Sequence, residues 1–237
     1  MRAVILAGGK GTRLKPFTTT IPKPLVPIGD MSIMDVLLHR LARCGCERAT
    51  VAVGHMAQLI MAYFGDGAKW GLSADYSIED GPLSTIAPLR LIDDLPEHFL
   101  VMNGDLLTDL DFRDLYSRHV ESGALGTIAT YEREVRVDFG VLGYDAEGFR
   151  IREFSEKPVE RFNVSMGIYA FSRAILDLIP DGRPFGFDDL MLACIERDLD
   201  VRSYPYSGYW LDIGRPDDYD RATADFEGMR DRLLGED

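Results

Sequence analysis

The sequence predicts an α/β fold: a mixed, mostly parallel central sheet flanked by helices. Three observations predict it. Strand-like apolar runs alternate with amphipathic segments from the first residue to about Glu121, the grammar of strands joined by helical crossovers. From about Ala124 this alternation gives way to four strand candidates in close succession, a spacing that favours antiparallel pairing. The length, 237 residues with 46% hydrophobic content, suffices for one well-filled core and is short for two, so residues 1–237 are expected to form a single domain.

Taken in order, residues 4–7 form a first strand that stops at Gly8-Gly9. Residues 33–43 read as a helix with Ser32 as N-cap and Gly45 just past its end. A strand over 49–53, a helix over 56–64 ending at Gly65 and a strand over 72–78 follow. Residues 86–95 read as a helix, in which Pro88 is tolerated only in the first turn. The strand over 99–102 is apolar throughout and stops at Asn103-Gly104-Asp105. Strands over 125–131, 139–144, 149–154 and 164–171 make an antiparallel insertion spanning about 124–171. Helices over 173–178 and 187–197, a strand over 201–205, the segment 209–213 and a helix from Pro216 complete the chain.

A formal net charge of −13 argues against nucleic acid or an anionic membrane as the main partner, since either calls for a basic face. No uncharged run approaches the length of a membrane span, and the apolar run before Gly8 is too short for a signal peptide. Cys44, Cys46 and Cys194 form neither an even disulfide set nor a zinc pattern, and His39, His55, His98 and His119 show no ligand spacing. The chain therefore reads as cytoplasmic, with reduced thiols, and as one that would use carboxylates for metal. A homo-oligomer is left open.

The stretch with most chemistry is Ala3-Val4-Ile5-Leu6-Ala7-Gly8-Gly9-Lys10-Gly11-Thr12-Arg13-Leu14, followed by Pro22-Lys23-Pro24. Glycines let the backbone approach a ligand and turn successive amides toward one anion, while lysine and arginine add full charge. Residues 1–28 carry Arg2, Lys10, Arg13, Lys15 and Lys23 and no acid, within an acidic protein. A local phosphate site is the consequence. It is neither a Walker loop, which needs Gly-Lys-Ser/Thr at a spacing this loop lacks, nor the dinucleotide fingerprint, whose third glycine is replaced by Leu14.

Leu6-Ala7-Gly8-Gly9-Lys10-Gly11-Thr12-Arg13-Leu14 with Pro22-Lys23-Pro24-Leu25 resembles the signature of the sugar-1-phosphate nucleotidyltransferases. The resemblance implies a Rossmann-like fold and a Mg²⁺-dependent reaction joining a nucleoside triphosphate to a sugar 1-phosphate, with release of pyrophosphate. Those two substrates are the expected partners. The C-terminal left-handed β-helix often found in that family has no counterpart among these residues.

Asn103-Gly104-Asp105 ends a central strand, where open α/β sheets place ligand groups, and Tyr209-Trp210-Leu211-Asp212-Ile213-Gly214 offers a second acid. The resemblance makes Asp105 and Asp212 the metal ligands. Arg13, Lys23, Asp105 and Asp212 are the expected catalytic set, and Leu6, Ala7, Gly8, Gly9, Gly11, Thr12, Arg13, Glu79, Ser84, Asn103 and Gly104 the nucleotide set. In Glu156-Lys157-Pro158 a carboxylate suited to sugar hydroxyls adjoins an ammonium suited to phosphate. Four of the five lysines fall in that motif and the N-terminal stretch. With Gly140, Ser165 and Gly167, these residues and Lys23 make the expected sugar-phosphate set.

The base site is expected within residues 77–87, where Ser84 and Ala87 replace glycines usual in the resembling family. Guanine is favoured, with Glu79 as reader, because a carboxylate can accept from both guanine N1–H and the N2 amino group, whereas uracil and thymine offer one such donor. The same reaction with dTTP or UTP is the alternative. Two other classes are weighed: a nucleotide-sugar-dependent glycosyltransferase, for which Asp109-Leu110-Asp111 has suitable spacing, and a non-catalytic binder of nucleotide sugars.

Overall fold

The computed structural model describes residues 1–235. In chain order the elements are β1 (Arg2–Ala7), β2 (Pro27–Ile28), β3 (Met31–Ser32), α1 (Ile33–Arg43), β4 (Arg48–Val53), α2 (Ala57–Phe64), β5 (Ser73–Ile78), β6 (His98–Asn103) and β7 (Leu106–Thr108). They continue with α3 (Phe112–Ser122), β8 (Gly126–Arg136), β9 (Gly140–Tyr144), β10 (Ile151–Glu156), β11 (Val159–Ser172), α4 (Phe187–Glu196), β12 (Val201–Tyr206), β13 (Trp210–Asp212) and α5 (Pro216–Leu234). Seven strands make the central sheet in the order β12-β8-β11-β6-β1-β4-β5. β1 is parallel to β4 and to β6, β4 to β5, and β12 to β8, while β11 runs antiparallel to both β6 and β8. This is the mixed, mostly parallel sheet expected.

Burial on both faces explains why β1 reads as a continuous apolar run: Ala3 and Ile5 pack with Leu37, Leu41, Ile60 and Phe112 on one side, and Val4 with Phe99, Phe171 and Leu190 on the other. A third cluster, built on Leu211, Ile213, Phe226 and Leu233, seats α5. At the head of α1 the Ser32 hydroxyl accepts from Asp35 N (3.2 Å) and Asp35 accepts from Ser32 N (2.9 Å), the reciprocal cap that the sequence places there. Among the described residues no helix is long and apolar enough to cross a membrane.

Four segments differ from expectation, the first being residues 173–178, expected as a helix and found as a 3-10 segment, Arg173–Leu178. The helix expected over 86–95 is only a 3-10 segment, Ala87–Leu91, which ends where Ile92 turns extended and its amide donates to Leu89 O (3.3 Å). Helix α3 has no counterpart in the sequence reading: its buried stripe is Phe112, Leu115 and His119, and a histidine in a core position breaks the apolar pattern. The expected antiparallel group is partly central sheet. β8 and β11 begin and end within it respectively, and their outer halves project as an exposed ribbon, with β9–β10 as a separate hairpin.

His119 is fully buried. One ring nitrogen lies 3.0 Å from Thr127 Oγ1, the other 3.3 Å from His98 Nδ1 and from Ser172 Oγ. Burial, reinforced by the neighbouring His98, lowers its pKa to about 4. The unfolded chain binds this proton at about pH 6.5 and the folded chain only near pH 4, so stability should fall as pH drops through that window. Urea unfolding should show a loss of roughly 2 kcal/mol from this group between about pH 7.5 and 5. His119→Gln should be less stable at the upper pH and lose correspondingly less on acidification; parallel pH profiles would contradict the assignment.

Candidate active site

The chain leaves β1 toward β4 and β5 on one side, then returns to β6 on the other. The carboxyl ends of β1 and its neighbours therefore open at a topological switch point, where backbone termini diverge and leave a crevice. A cavity of about 750 Å³ lies there. Its lining includes every residue expected for the nucleotide (Leu6, Ala7, Gly8, Gly9, Gly11, Thr12, Arg13, Glu79, Ser84, Asn103 and Gly104), together with Lys23, Asp105 and Asp212. Gly54 and His55, which the sequence reading passed over, line it too. Their signal was position: they follow β4 directly, at the same end of the sheet.

Backbone contacts fix this lining. Gly104 N donates to Leu6 O (2.9 Å) and His55 N to Gly8 O (3.3 Å), so the turns after β6 and β4 are both tied to β1. Gly11 O accepts from Thr18 Oγ1 (2.7 Å) and Leu14 N (3.0 Å), which closes the loop on itself. Opposite it, Glu79 N donates to Val53 O (2.9 Å). The Glu79 carboxylate lies against Gly8, in the space that a Cβ at position 8 would enter. Burial raises the Glu79 pKa, against the donation of Leu83 N (3.5 Å).

The acids meet through a ladder that sequence alone does not reveal. β7 follows Asp105 and pairs antiparallel with β13, setting Asp212 opposite Leu106, and Ile213 N donates to Asp105 O (3.1 Å). Lys23 forms an ion pair with Asp105 through Oδ2, and Oδ1 is buried with no hydrogen-bond partner. Burial and then the charge of Asp105 raise the Asp212 pKa, while Lys23 and Arg13 act in the opposite direction. An orphaned carboxylate oxygen beside a second, electrostatically frustrated carboxylate is a donor set that fits a hard cation such as Mg²⁺.

Asp109 and Asp111 have other work. Asp109 accepts from Tyr206 Oη and from Tyr209 N (2.8 Å) and is paired with Arg232; Asp111 caps α3 through the amides of Arg113 (2.9 Å) and Asp114 (3.2 Å). Both are structural.

The residues expected for sugar phosphate divide into two groups. Ser165 borders, and Gly167 lies within, a register break in β11 between Ser165 and Tyr169 against β8. Gly167 has φ +71°, and a side chain there would come within 2.5 Å of Asn103 Nδ2, so this bulge abuts the nucleotide set. Trp210 Nε1 donates to Met166 O (3.0 Å), tying the bulge to β13. Gly140 and Glu156 are cross-strand partners in the β9–β10 hairpin, and Lys157 follows them. Glu156 and Lys157 are exposed, and neither they nor Gly140 line the cavity. Lys157 adopts φ +46°, a costly conformation for a side-chain-bearing residue.

The nucleotidyl transferase family matches the chain over residues 2–228. A UTP–glucose-1-phosphate uridylyltransferase of Synechocystis sp. is 36% identical over 239 residues, covering 92% of this chain and 61% of that protein. A mannose-1-phosphate guanyltransferase of Schizosaccharomyces pombe is 34% identical over 232 residues, covering 94% and 64%. The chain thus spans less than two thirds of the length of these curated relatives. Among solved structures, HddC from Yersinia pseudotuberculosis complexed with GMP-PN superposes with a TM-score of 0.70 at 27% identity, over 95% of this chain and 99% of that one.

Ser84, where glycine was the expectation, retains a glycine's backbone: φ is +67°. The left-handed region costs an L-residue roughly 1–2 kcal/mol. Ser84→Gly should therefore raise the thermal midpoint by a few degrees in calorimetry. An unchanged or lowered midpoint would mean that the hydroxyl contributes as much as the strain costs.

Proposed function

Because the chain belongs to the nucleotidyl transferase family, we propose that it joins a nucleoside triphosphate to a sugar 1-phosphate, giving a nucleoside diphosphate sugar and pyrophosphate. One observation carries the proposal. A single cavity at the switch point gathers the Gly8–Arg13 loop, Lys23, Asp105 and Asp212 from distant parts of the sequence.

An oxygen of the sugar phosphate would attack the α-phosphorus in line while pyrophosphate leaves. The nucleophile is already an anion, so little proton transfer is required, and positioning with charge neutralisation carries the rate. The loop amides and Arg13 would bind the triphosphate. Lys23, whose ammonium Asp105 already holds in the cleft, is preorganised to meet phosphate charge. Asp105 and Asp212 would hold Mg²⁺, which when bound neutralises phosphate charge. On the projecting hairpin, Glu156 and Lys157 would bind the sugar and its phosphate, with Ser165 in the same site and Gly140 and Gly167 leaving room for the ring; the strained backbone of Lys157 supports a binding role.

Guanine is the proposed base. Glu79 lies against Gly8 in the wall of the cleft and does not simply point to solvent, and as a carboxylate it can accept from both guanine donors. Relatives include both guanyl- and uridylyltransferases. The glycosyltransferase reading loses its motif, because Asp109 and Asp111 are engaged within the fold.

Pyrophosphate release over a grid of five nucleoside triphosphates and a panel of sugar 1-phosphates tests the whole reading. GTP should give the highest kcat/KM, and Glu79→Gln should reduce it for GTP by about tenfold to a hundredfold with smaller losses for dTTP and UTP. Asp105→Asn and Asp212→Asn should each lose turnover while retaining the fold by circular dichroism. A wild-type preference for UTP or dTTP would overturn the base assignment, and full activity of either asparagine variant would overturn that residue's role.

A further inference from the structure

The loop facing the base is held from behind by residues outside the cleft. Phe185 N donates to Leu83 O, and Phe185 O accepts from the Ile86 and Ala87 amides, each at 3.0 Å. Phe187 N donates to Thr85 Oγ1 at 3.0 Å. Residues 83–87 thus hang on Phe185 and Phe187, the two residues that bracket Gly186 at the head of α4. Ser84 completes the fit: its Oγ lies beside Gly186, where an added Cβ would come within 3.2 Å of it.

Phe187 carries this attachment into the core. Its ring stacks on Tyr169 with centroids 4.4 Å apart and planes 12° apart, and Tyr169 stacks in turn on Phe171 at 5.5 Å and 16°. Phe171 is fully buried. Leu83, Ser84 and Thr85 line the cavity, whereas Phe187 does not. A loop containing a strained left-handed serine is therefore anchored by an aromatic stack that runs back to the sheet.

We propose that Phe187 is a positioning residue for the nucleoside triphosphate: its ring, seated on Tyr169, keeps the 83–87 loop in the conformation that receives the base. The proposal rests on the nucleotidyl-transfer reading of the cleft. Without the stack, the loop must be ordered at the moment of binding, and that entropy is subtracted from nucleotide affinity. Lys23, Gly140, Glu156 and Lys157 lie on other elements; only the β11 bulge adjoins the stack, where Ser165 Oγ donates to Tyr169 Oη (3.5 Å), so sugar phosphate should be affected far less.

The experiment compares wild type, Phe187→Ala and Phe187→Tyr by steady-state kinetics and by calorimetric binding of GTP, or of whichever triphosphate gives the highest kcat/KM. Phe187→Ala should weaken triphosphate binding and raise its KM by about tenfold, with KM for sugar 1-phosphate changed by less than about twofold. Phe187→Tyr keeps the stacking ring and should restore wild-type values. Thr85→Val, which removes only the hydroxyl acceptor, should weaken the triphosphate in the same direction by a smaller factor and covers the case in which Phe187→Ala does not fold. Unchanged triphosphate affinity in an active Phe187→Ala enzyme overturns this inference alone, as does an equal rise in both KM values. A wild-type protein that binds no nucleoside triphosphate overturns the underlying reading as well.

Discussion

The juxtaposition of Asp105 and Asp212 is the constraint on which the rest of the structure depends. Burial and the neighbouring charge of Asp105 oppose ionisation of Asp212, and Lys23 with Arg13 only partly offset this. One buried oxygen of Asp105 is left without any partner. A fold retains such a group where a ligand completes it, since the same site filled with apolar side chains would be more stable. The β7–β13 ladder, the tie between Gly104 and Leu6, and the packing of α5 on the β13 region all serve to hold this pair at the mouth of β1 and β6.

The rest of the cleft follows from where strands end. Parallel strands place their carboxyl ends together, so the Gly8–Arg13 loop, Gly54-His55, Glu79 and Asn103-Gly104 arrive at one edge without any contact between them in sequence. Charge then sorts the edge. Cations from the first loop face acids from β6 and β13, and Glu79 stands apart beside Gly8. The bulge at Gly167 brings β11 against Asn103, which links the nucleotide side to the strand that continues into the exposed ribbon.

Much of this was legible in the sequence. The apolar run that ends at Gly8-Gly9, the cap at Ser32 and the acid after the β6 strand are local features, and local features survive folding. Long-range features did not read through. Nothing near Asp212 announces that its strand pairs with the residues just after Asp105. Helix α3 hid because a buried position is filled by His119, and residues 86–95 read as a long helix although the chain turns extended at Ile92, which no residue type there announces. The 83–87 loop shows the same limit: Ser84 stands where a glycine is usual, yet the backbone keeps the left-handed turn and the hydroxyl lies beside Gly186.

The central claim is that this cleft forms a new phosphoanhydride bond between two phosphorylated substrates. ³¹P NMR of the wild-type protein with Mg²⁺, GTP and a sugar 1-phosphate tests it without reference to any variant. Two coupled diphosphate resonances should grow in step with pyrophosphate, as both starting phosphates disappear in equal amounts. Accumulation of orthophosphate with nucleoside diphosphate, or spectra that stay unchanged with every nucleoside triphosphate supplied, would contradict it.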